Sequence, residues 1–298
     1  MTTPALPVTV AFLGLGAMGA PMAARLAGML AGPLLVWNRT PSKAQAHAAE
    51  HGSRAVTLPE VAAADVIFTC LPTSGDVNGL LEELLPSLRP GTVWVDCTSG
   101  RPADARAQAR RLEEVGAHFL DAPVSGGPAG ARSAALAVMV GGDEGVLERV
   151  LPLLQSFGRT ILRVGPVGSG FAVKAVNNAL MALHLWSVAE GLASLKKQGV
   201  DLAPALEVIN ASSGSSFSSQ NKVAQQVFPR TFSPMFRLGL LAKDAGIALE
   251  NVQEVGGSAP LLALTATLLR AAQAAQGDDV DHTELVRTVE AMNGVELS

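Results

Sequence analysis

Gly14-Leu15-Gly16-Ala17-Met18-Gly19 has the residue types and spacing of a phosphate cradle. It follows the apolar run of residues 8–13 and opens a small-residue stretch, residues 20–30, that reads as a helix. In that context the first glycine permits a tight turn and the second lets backbone approach a pyrophosphate. The third allows close helix–strand packing. The helix start adds free N–H groups and the positive end of its dipole. A dinucleotide site is therefore expected, against the plainer reading of a glycine turn in a chain with 30 glycines.

Which dinucleotide depends on the next strand. Leu34-Leu35-Val36-Trp37 ends in Asn38-Arg39-Thr40, where an NAD site carries Asp or Glu for the ribose 2′-hydroxyl. No Asp or Glu precedes Glu50 in this chain. Arg39 would instead pair with a 2′-phosphate through its fork of donors. The spacing thus favours NADP, with NAD possible and a solvated turn arginine as the bland alternative.

Lys174 and Asn178 are four apart in a proline-free stretch, residues 171–198, so in a helix they share one face. A lysine there can exchange a proton with a substrate hydroxyl while hydride moves to or from a nicotinamide. Such exchange needs the amine to spend time uncharged, which desolvation favours. Asn178 can hold a substrate oxygen without adding charge. Ser125-Gly126-Gly127 sets a hydroxyl beside two unobstructed backbone N–H groups, a nest for a carboxylate or a simple turn. Lys243-Asp244 lies on a later helix and reads either as part of the site or as a surface charge pair.

Other patterns point elsewhere. His47-Ala48-Ala49-Glu50-His51 fits a zinc-protease motif, yet it falls where an outer, solvated helix is expected. No metal is expected. Ser194 with Lys197 and Ser219 with Lys222 fit Ser-x-x-Lys, but lack the companion motifs of that chemistry. A non-catalytic nucleotide sensor would have no need of Lys174 as a proton donor.

The elements that must position these residues fall into two halves. Up to residue 165 short β-rich runs at 66–69, 93–96, 118–121, 137–140 and 160–162 alternate with helical stretches such as 101–115 and 144–156. That alternation implies an α/β, Rossmann-type, mostly parallel doubly wound sheet with ligand loops at the strands' carboxyl ends. Such loops include Leu71-Pro72-Thr73, Thr98-Ser99-Gly100 and residues 122–130. Gly165-Pro166-Val167-Gly168-Ser169-Gly170 then breaks the pattern. Beyond it the chain reads as helices at 171–198, 201–211, 238–255, 260–276 and 282–292, with a short loop at 212–219. Two domains are expected: dinucleotide-binding over 1–165, and all-α over 166–298 for substrate and oligomerisation.

The 298 residues suffice for both cores, and 48% apolar against 16% charged content excludes disorder. A net charge of −4 gives no reason to expect nucleic acid or an anionic membrane surface. No apolar run reaches membrane-spanning length. Residues 1–7 lack the features of a signal peptide, and the only cysteines, Cys70 and Cys97, suit a reducing compartment as inert packing. A cytoplasmic homo-oligomer, dimer or tetramer, is expected from the apolar helices of the second half.

Four motifs occur in order: the glycine turn 14–19, Phe119-Leu120-Asp121-Ala122-Pro123-Val124-Ser125-Gly126-Gly127, Gly170-Phe171-Ala172-Val173-Lys174-Ala175-Val176-Asn177-Asn178, and Lys243-Asp244. Together they resemble the β-hydroxyacid dehydrogenase family over nearly the whole chain. The resemblance implies that Lys174 is the catalytic acid/base and that Ser125, Gly126 and Gly127 hold the carboxylate of a small substrate. It implies substrate contacts from Asn178 and Asp244, with Lys243 beside the nicotinamide. Leu71, Pro72 and Ser99 would line the cofactor, as would Gly14, Leu15, Gly16, Ala17, Met18 and Gly19. The implied reaction is hydride transfer between NADP(H) or NAD(H) and a small β-hydroxy acid or its semialdehyde. 3-Hydroxyisobutyrate is the first expectation; tartronate semialdehyde, glyoxylate and succinic semialdehyde are alternatives. Two departures bear on substrate. Phe217 stands where many relatives have Trp, and the chain contains no Tyr.

Overall fold

The structure, a computed structural model, describes residues 8–298, so the reading of residues 1–7 lies outside it. Contacts divide the chain into two compact units, the first ending at Lys174 and the second beginning at Ala175. The first unit runs β1 (Val10–Leu13), α1 (Gly19–Ala27), β2 (Leu35–Trp37), α2 (Pro41–His51), β3 (Arg54–Ala55) and α3 (Leu58–Val61). It continues with β4 (Val66–Thr69), α4 (Ser74–Leu84), β5 (Val93–Asp96), α5 (Pro102–Glu113) and β6 (His118–Asp121). Last come β7 (Val124–Ser125), α6 (Gly127–Arg132), β8 (Leu136–Gly141), α7 (Glu144–Leu154), β9 (Gly158–Gly165) and the start of α8 (Ser169–Lys197).

These nine strands form one sheet in the order β3-β2-β1-β4-β5-β6-β8-β7, with β9 beside β8. Pairing is parallel except where β8 meets β6 and β7. Alternate residues of each strand feed opposite faces, as the two-residue period requires. Val10, Phe12, Val66, Phe68, Val93 and Val95 pack with Met22 and Leu26 of α1 and Leu153 of α7. Ala11, Leu13, Ile67 and Trp94 pack on the other face with Leu81 of α4 and Leu112 of α5. Both faces are covered, which explains why these strands read as unbroken apolar runs.

Three strands form with the expected bounds, at 66–69, 93–96 and 118–121. β3 and β7 are two residues each, too short to leave a periodic trace. The helix expected over 20–30 is shorter, because the chain leaves it at Gly28. β9 outruns the expected 160–162 because it tracks β8 in parallel almost along its length.

The second unit is built from the rest of α8, then α9 (Leu202–Asn210), a π-helix (Ser218–Val227), α10 (Leu238–Glu254) and α11 (Pro260–Gln276). A 3₁₀ turn (His282–Glu284) leads into α12 (Leu285–Asn293). The loop expected at 212–219 therefore ends earlier, where the π-helix begins. Its core gathers Leu185, Trp186 and Leu192 of α8 with Leu206, Leu241, Leu269, Val286 and Val289.

One steric constraint fixes the turn between β1 and α1. A Cβ on Gly19 would lie 1.8 Å from the Gly14 carbonyl oxygen, whereas one on Gly16 would meet nothing within 4 Å. Gly19→Ala is therefore expected to lower unfolding free energy by about 1–3 kcal/mol. Gly16→Ala should leave it within ~0.5 kcal/mol. Urea titration of both variants checks the contrast.

Candidate active site

β1 lies between β2 and β4, so the chain reverses direction across the sheet at β1, the switch point where open α/β sheets bind ligands. The glycine turn follows β1 at that point. Gly14 takes a φ of 100° and donates to the Trp37 carbonyl at 3.0 Å. A Cβ there would stand 2.4 Å from the Cys70 carbonyl oxygen and 2.7 Å from Leu71 Cδ2. Only glycine lets the turn lie this close to the loop after β4. Leu15 is buried, and its N–H donates to Asn38 Oδ1 at 2.9 Å, while Asn38 Nδ2 donates to the Thr40 carbonyl at 3.1 Å. Asn38 thus pins the turn to the end of β2, a role its type alone did not reveal.

Gly16 and Ala17 are exposed, and Met18 begins α1 without any side-chain cap or acidic residue in the first turn. The backbone N–H groups of this helix start are left without side-chain acceptors, which fits a bound pyrophosphate. Arg39 projects from the end of β2 with its side chain 86% exposed, and its Nη1 lies 3.8 Å from Asp76 Oδ1. Asp76 was not among the expected site residues.

Leu71 is half-buried, Pro72 exposed and Ser99 half-buried. A buried polar network fixes their loops. Thr69 Oγ1 donates to Asp96 Oδ1 at 2.8 Å, which also accepts the Thr98 N–H at 3.0 Å. Thr98 Oγ1 in turn accepts the Leu71 N–H at 3.1 Å. Cys70 and Cys97 flank this network as free thiols; burial pushes Cys70 up to about 12 and Cys97 well above its usual value. Both are held as unreactive thiols.

Ser125 closes β7, and Gly126 and Gly127 follow with φ of 130° and 64°, conformations that favour glycine. Nothing lies within 4 Å of a Cβ built on Gly127, so its backbone is open to a ligand. Four residues before Ser125, Asp121 ends β6. Its Oδ1 accepts the Gly168 N–H at 2.7 Å and its Oδ2 accepts the Phe171 N–H at 2.9 Å. Those donors are the residue just before α8 and one in its first turn, and α8 is the helix that carries Lys174. A Cβ on Gly170 would stand 2.8 Å from the Asp121 carbonyl, so the helix start lies hard against β6. Lys174 itself is only 8% exposed.

In the second unit, Asn178 is buried, and its Nδ2 donates to Asp244 Oδ2 at 2.7 Å. Lys243 Nζ lies 3.2 Å from Asp244 Oδ1. Asp244 is 1% exposed, so Lys243-Asp244 is no surface pair but a buried carboxylate shared by an amide and an ammonium. Phe217 is 62% exposed, with Lys222 Nζ 5.6 Å from its ring centroid.

Two other patterns resolve into packing. α2 is mainly exposed, as expected of an outer helix, but His47 lies on its inner edge and is buried, with Nδ1 2.8 Å from Ser53 Oγ and its ring against His51. Burial lowers its pKa, so it stays the neutral partner of Ser53. Ser219 Oγ donates to the Ser216 carbonyl at 3.0 Å, and Ser194 Oγ accepts from Gln198 Nε2 at 3.3 Å.

The chain matches known proteins over nearly its whole length. Residues 9–165 match the model of the NAD-binding domain of 6-phosphogluconate dehydrogenase. Residues 168–289 match the NAD-binding model of NADP-dependent 3-hydroxyisobutyrate dehydrogenase. The chain is 34% identical to 2-(hydroxymethyl)glutarate dehydrogenase of Eubacterium barkeri, covering 98% of each chain. It is 34% identical to the structure of Mycobacterium tuberculosis 3-hydroxyisobutyrate dehydrogenase with L-serine, at a TM-score of 0.87, over 95% of this chain and 99% of that one. The structure of Psf3 with NADP+ and 2-OPP is 26% identical, with a TM-score of 0.81 over 94% and 100%. Fold, cradle and matches define a nicotinamide-dinucleotide oxidoreductase acting on hydroxyl groups. The chain belongs to the β-hydroxyacid dehydrogenase family. Among the described residues no helix is long and apolar enough to cross a membrane.

Asp121 also carries a pH signature. Burial pushes its carboxyl up to about 6, against the pull of the Gly168 and Phe171 N–H groups; the neighbouring Asp96 adds to the rise. The folded state therefore holds this proton more tightly than the unfolded chain, whose carboxyl titrates near its ordinary value of about 4. The contribution is fully present below about pH 4 and is lost as pH rises through about 6. Urea unfolding of wild type and Asp121→Asn should give a wild-type-minus-variant stability difference that grows as pH falls from 6 to 4. The difference should be flat above pH 7; a slope confined to the alkaline side would contradict the assignment.

Proposed function

We propose that this chain is an NADP-preferring β-hydroxyacid dehydrogenase in which Lys174 is the acid/base. The observation that carries the reading is that one helix, α8, bears Lys174 and Asn178 one turn apart, both buried. A lysine is costly to bury unless it serves a partner or a reaction, and the amide beside it is already oriented by Asp244. Gly14 to Gly19 would hold the pyrophosphate, Asn38, Arg39 and Thr40 the adenosine ribose and its 2′-phosphate, and Leu71, Pro72, Ser99 and Lys243 the remainder. The bound nicotinamide supplies the hydride acceptor or donor.

For oxidation, Lys174 Nζ takes the proton of the substrate hydroxyl as that carbon gives up hydride, leaving a carbonyl; reduction reverses both transfers. Ser125, Gly126 and Gly127 hold the carboxylate through a hydroxyl and open backbone N–H groups. Asn178 Nδ2 has a second hydrogen beyond the one given to Asp244, and directs it to the substrate oxygen. Phe217 supplies an apolar wall. The names of the relatives support a substrate with a carboxylate and a neighbouring hydroxymethyl group, and 3-hydroxyisobutyrate is the first choice. Tartronate semialdehyde, glyoxylate and succinic semialdehyde share that carboxylate and complete the assay panel.

We further propose a cytoplasmic homo-oligomer, dimer or tetramer. Val173, Val176 and Leu180 form an exposed apolar stripe along α8, as an interface between copies would require.

Lys174→Ala should lower kcat by about 10²–10⁴ while NADP(H) affinity, measured by fluorescence titration, stays within about twofold. Near-normal turnover, or parallel loss of NADP(H) binding, would remove Lys174 from this role. Separately, Arg39→Asp should shift the NADP-to-NAD ratio of kcat/KM tenfold or more toward NAD, since a charged hydrogen bond is worth about 1.5–3 kcal/mol. An unchanged ratio would reduce Arg39 to a turn residue.

A further inference from the structure

The carboxylate that the end of β2 lacks is present in the fold, supplied by a different element. Asp76 sits in the first turn of α4, after β4, and its Oδ1 lies 3.8 Å from Arg39 Nη1. Arg39 does not hold it there. Asp76 Oδ2 accepts from Thr73 N at 3.1 Å and from Thr73 Oγ1 at 2.7 Å, while the Asp76 N–H returns a bond to Thr73 Oγ1 at 3.2 Å. This reciprocal cap fixes one carboxylate oxygen and leaves the other toward the guanidinium. The Arg39 side chain is 86% exposed and that of Asp76 32%, so both are accessible to a ligand at the end of β2. An exposed pair at this separation contributes little to stability, which leaves its electrostatics free for recognition.

We propose that Asp76 is a specificity-determining residue that tempers the preference for a 2′-phosphorylated cofactor. The inference rests on the reading that Arg39 receives the 2′-phosphate. A phosphate seated on Arg39 must share it with a fixed carboxylate of like charge, whereas a 2′-hydroxyl meets no such repulsion. Asp76 thereby offsets part of what Arg39 confers and narrows the gap between the two cofactors in a chain whose β2 end carries no acidic residue.

The test uses two ligands without nicotinamide, adenosine 2′,5′-bisphosphate and adenosine 5′-monophosphate, titrated calorimetrically into the full chain. Asp76→Asn keeps a side-chain oxygen for the Thr73 cap and removes the charge. Asp76→Ser, which also keeps a capping oxygen, is the second variant, and thermal melts establish that each is folded. Either variant should tighten the bisphosphate about fivefold, the size of one like-charge contact near 4 Å in a water-like dielectric, and leave the monophosphate unchanged. The NADP-to-NAD ratio of kcat/KM should rise by the same factor. Unchanged or weaker bisphosphate binding overturns the proposal, as does equal tightening of both ligands, which would reflect only a general field. Arg39→Asp separates the two layers. If it leaves the bisphosphate-to-monophosphate ratio unaltered, the phosphate reading of Arg39 fails. If it collapses that ratio while Asp76→Asn has no effect, only the role of Asp76 fails.

Discussion

A buried carboxylate at the end of β6 governs where α8 begins. Asp121 accepts two backbone N–H groups at the start of that helix, whose own sequence offers no acidic residue in its first turn. Carboxylate at a helix start is favourable on two counts: it fills orphan donors and it faces the positive end of the dipole. The cost is desolvation, seen in the upward push on the Asp121 carboxyl. The helix accepts that position because Gly170 has no side chain to strike the strands, and Gly141, at the end of β8, has none to strike the carboxylate; a Cβ on Gly141 would lie 2.4 Å from Asp121 Oδ1. Lys174 comes one turn after these contacts, so its placement is inherited from the sheet and not from a flexible connection.

The same economy of side chains builds the cradle. Gly14 and Gly19 are required by close approach of backbone to backbone, whereas Gly16 is required by nothing in the protein. In the proposed cradle its missing side chain leaves room for the ligand. Each glycine of the motif therefore has a different physical cause, and the two structural ones create the conditions in which the third can act. Asn38 ties Leu15 to the end of β2, so the turn is joined directly to the strand end that carries Arg39.

Much of this was legible in the residues because it is local. The glycine turn, the strands at 66–69, 93–96 and 118–121, and the pairing of Lys174 with Asn178 each depend on residues within one element. What escaped depends on the fold bringing distant chain together. Asp76 reaches Arg39 because β2 and β4 both flank β1, an adjacency no spacing encodes. Asp121 stands within a motif read for its serine and glycines, and its partners are backbone groups 47 and 50 residues away. Lys243-Asp244 read equally well as surface or site, since a helix pattern does not reveal that Asn178 will meet Asp244. His47 is a related case: α2 has a polar sequence and a mainly exposed surface, yet its inner edge turns the ring onto Ser53.

The chain Asn178–Asp244–Lys243 shows why a buried charge is tolerated here. A carboxylate at 1% exposure needs compensation, and it receives one amide donor and one ammonium within 3.2 Å. That arrangement also fixes which end of the Asn178 amide points where, because only the nitrogen can donate to Asp244. An asparagine whose orientation is free would offer a substrate oxygen either a donor or an acceptor. Held by Asp244, Asn178 offers a donor. The ionic pair thus holds a neutral side chain in a single orientation, the one that the proposed contact with a substrate oxygen needs.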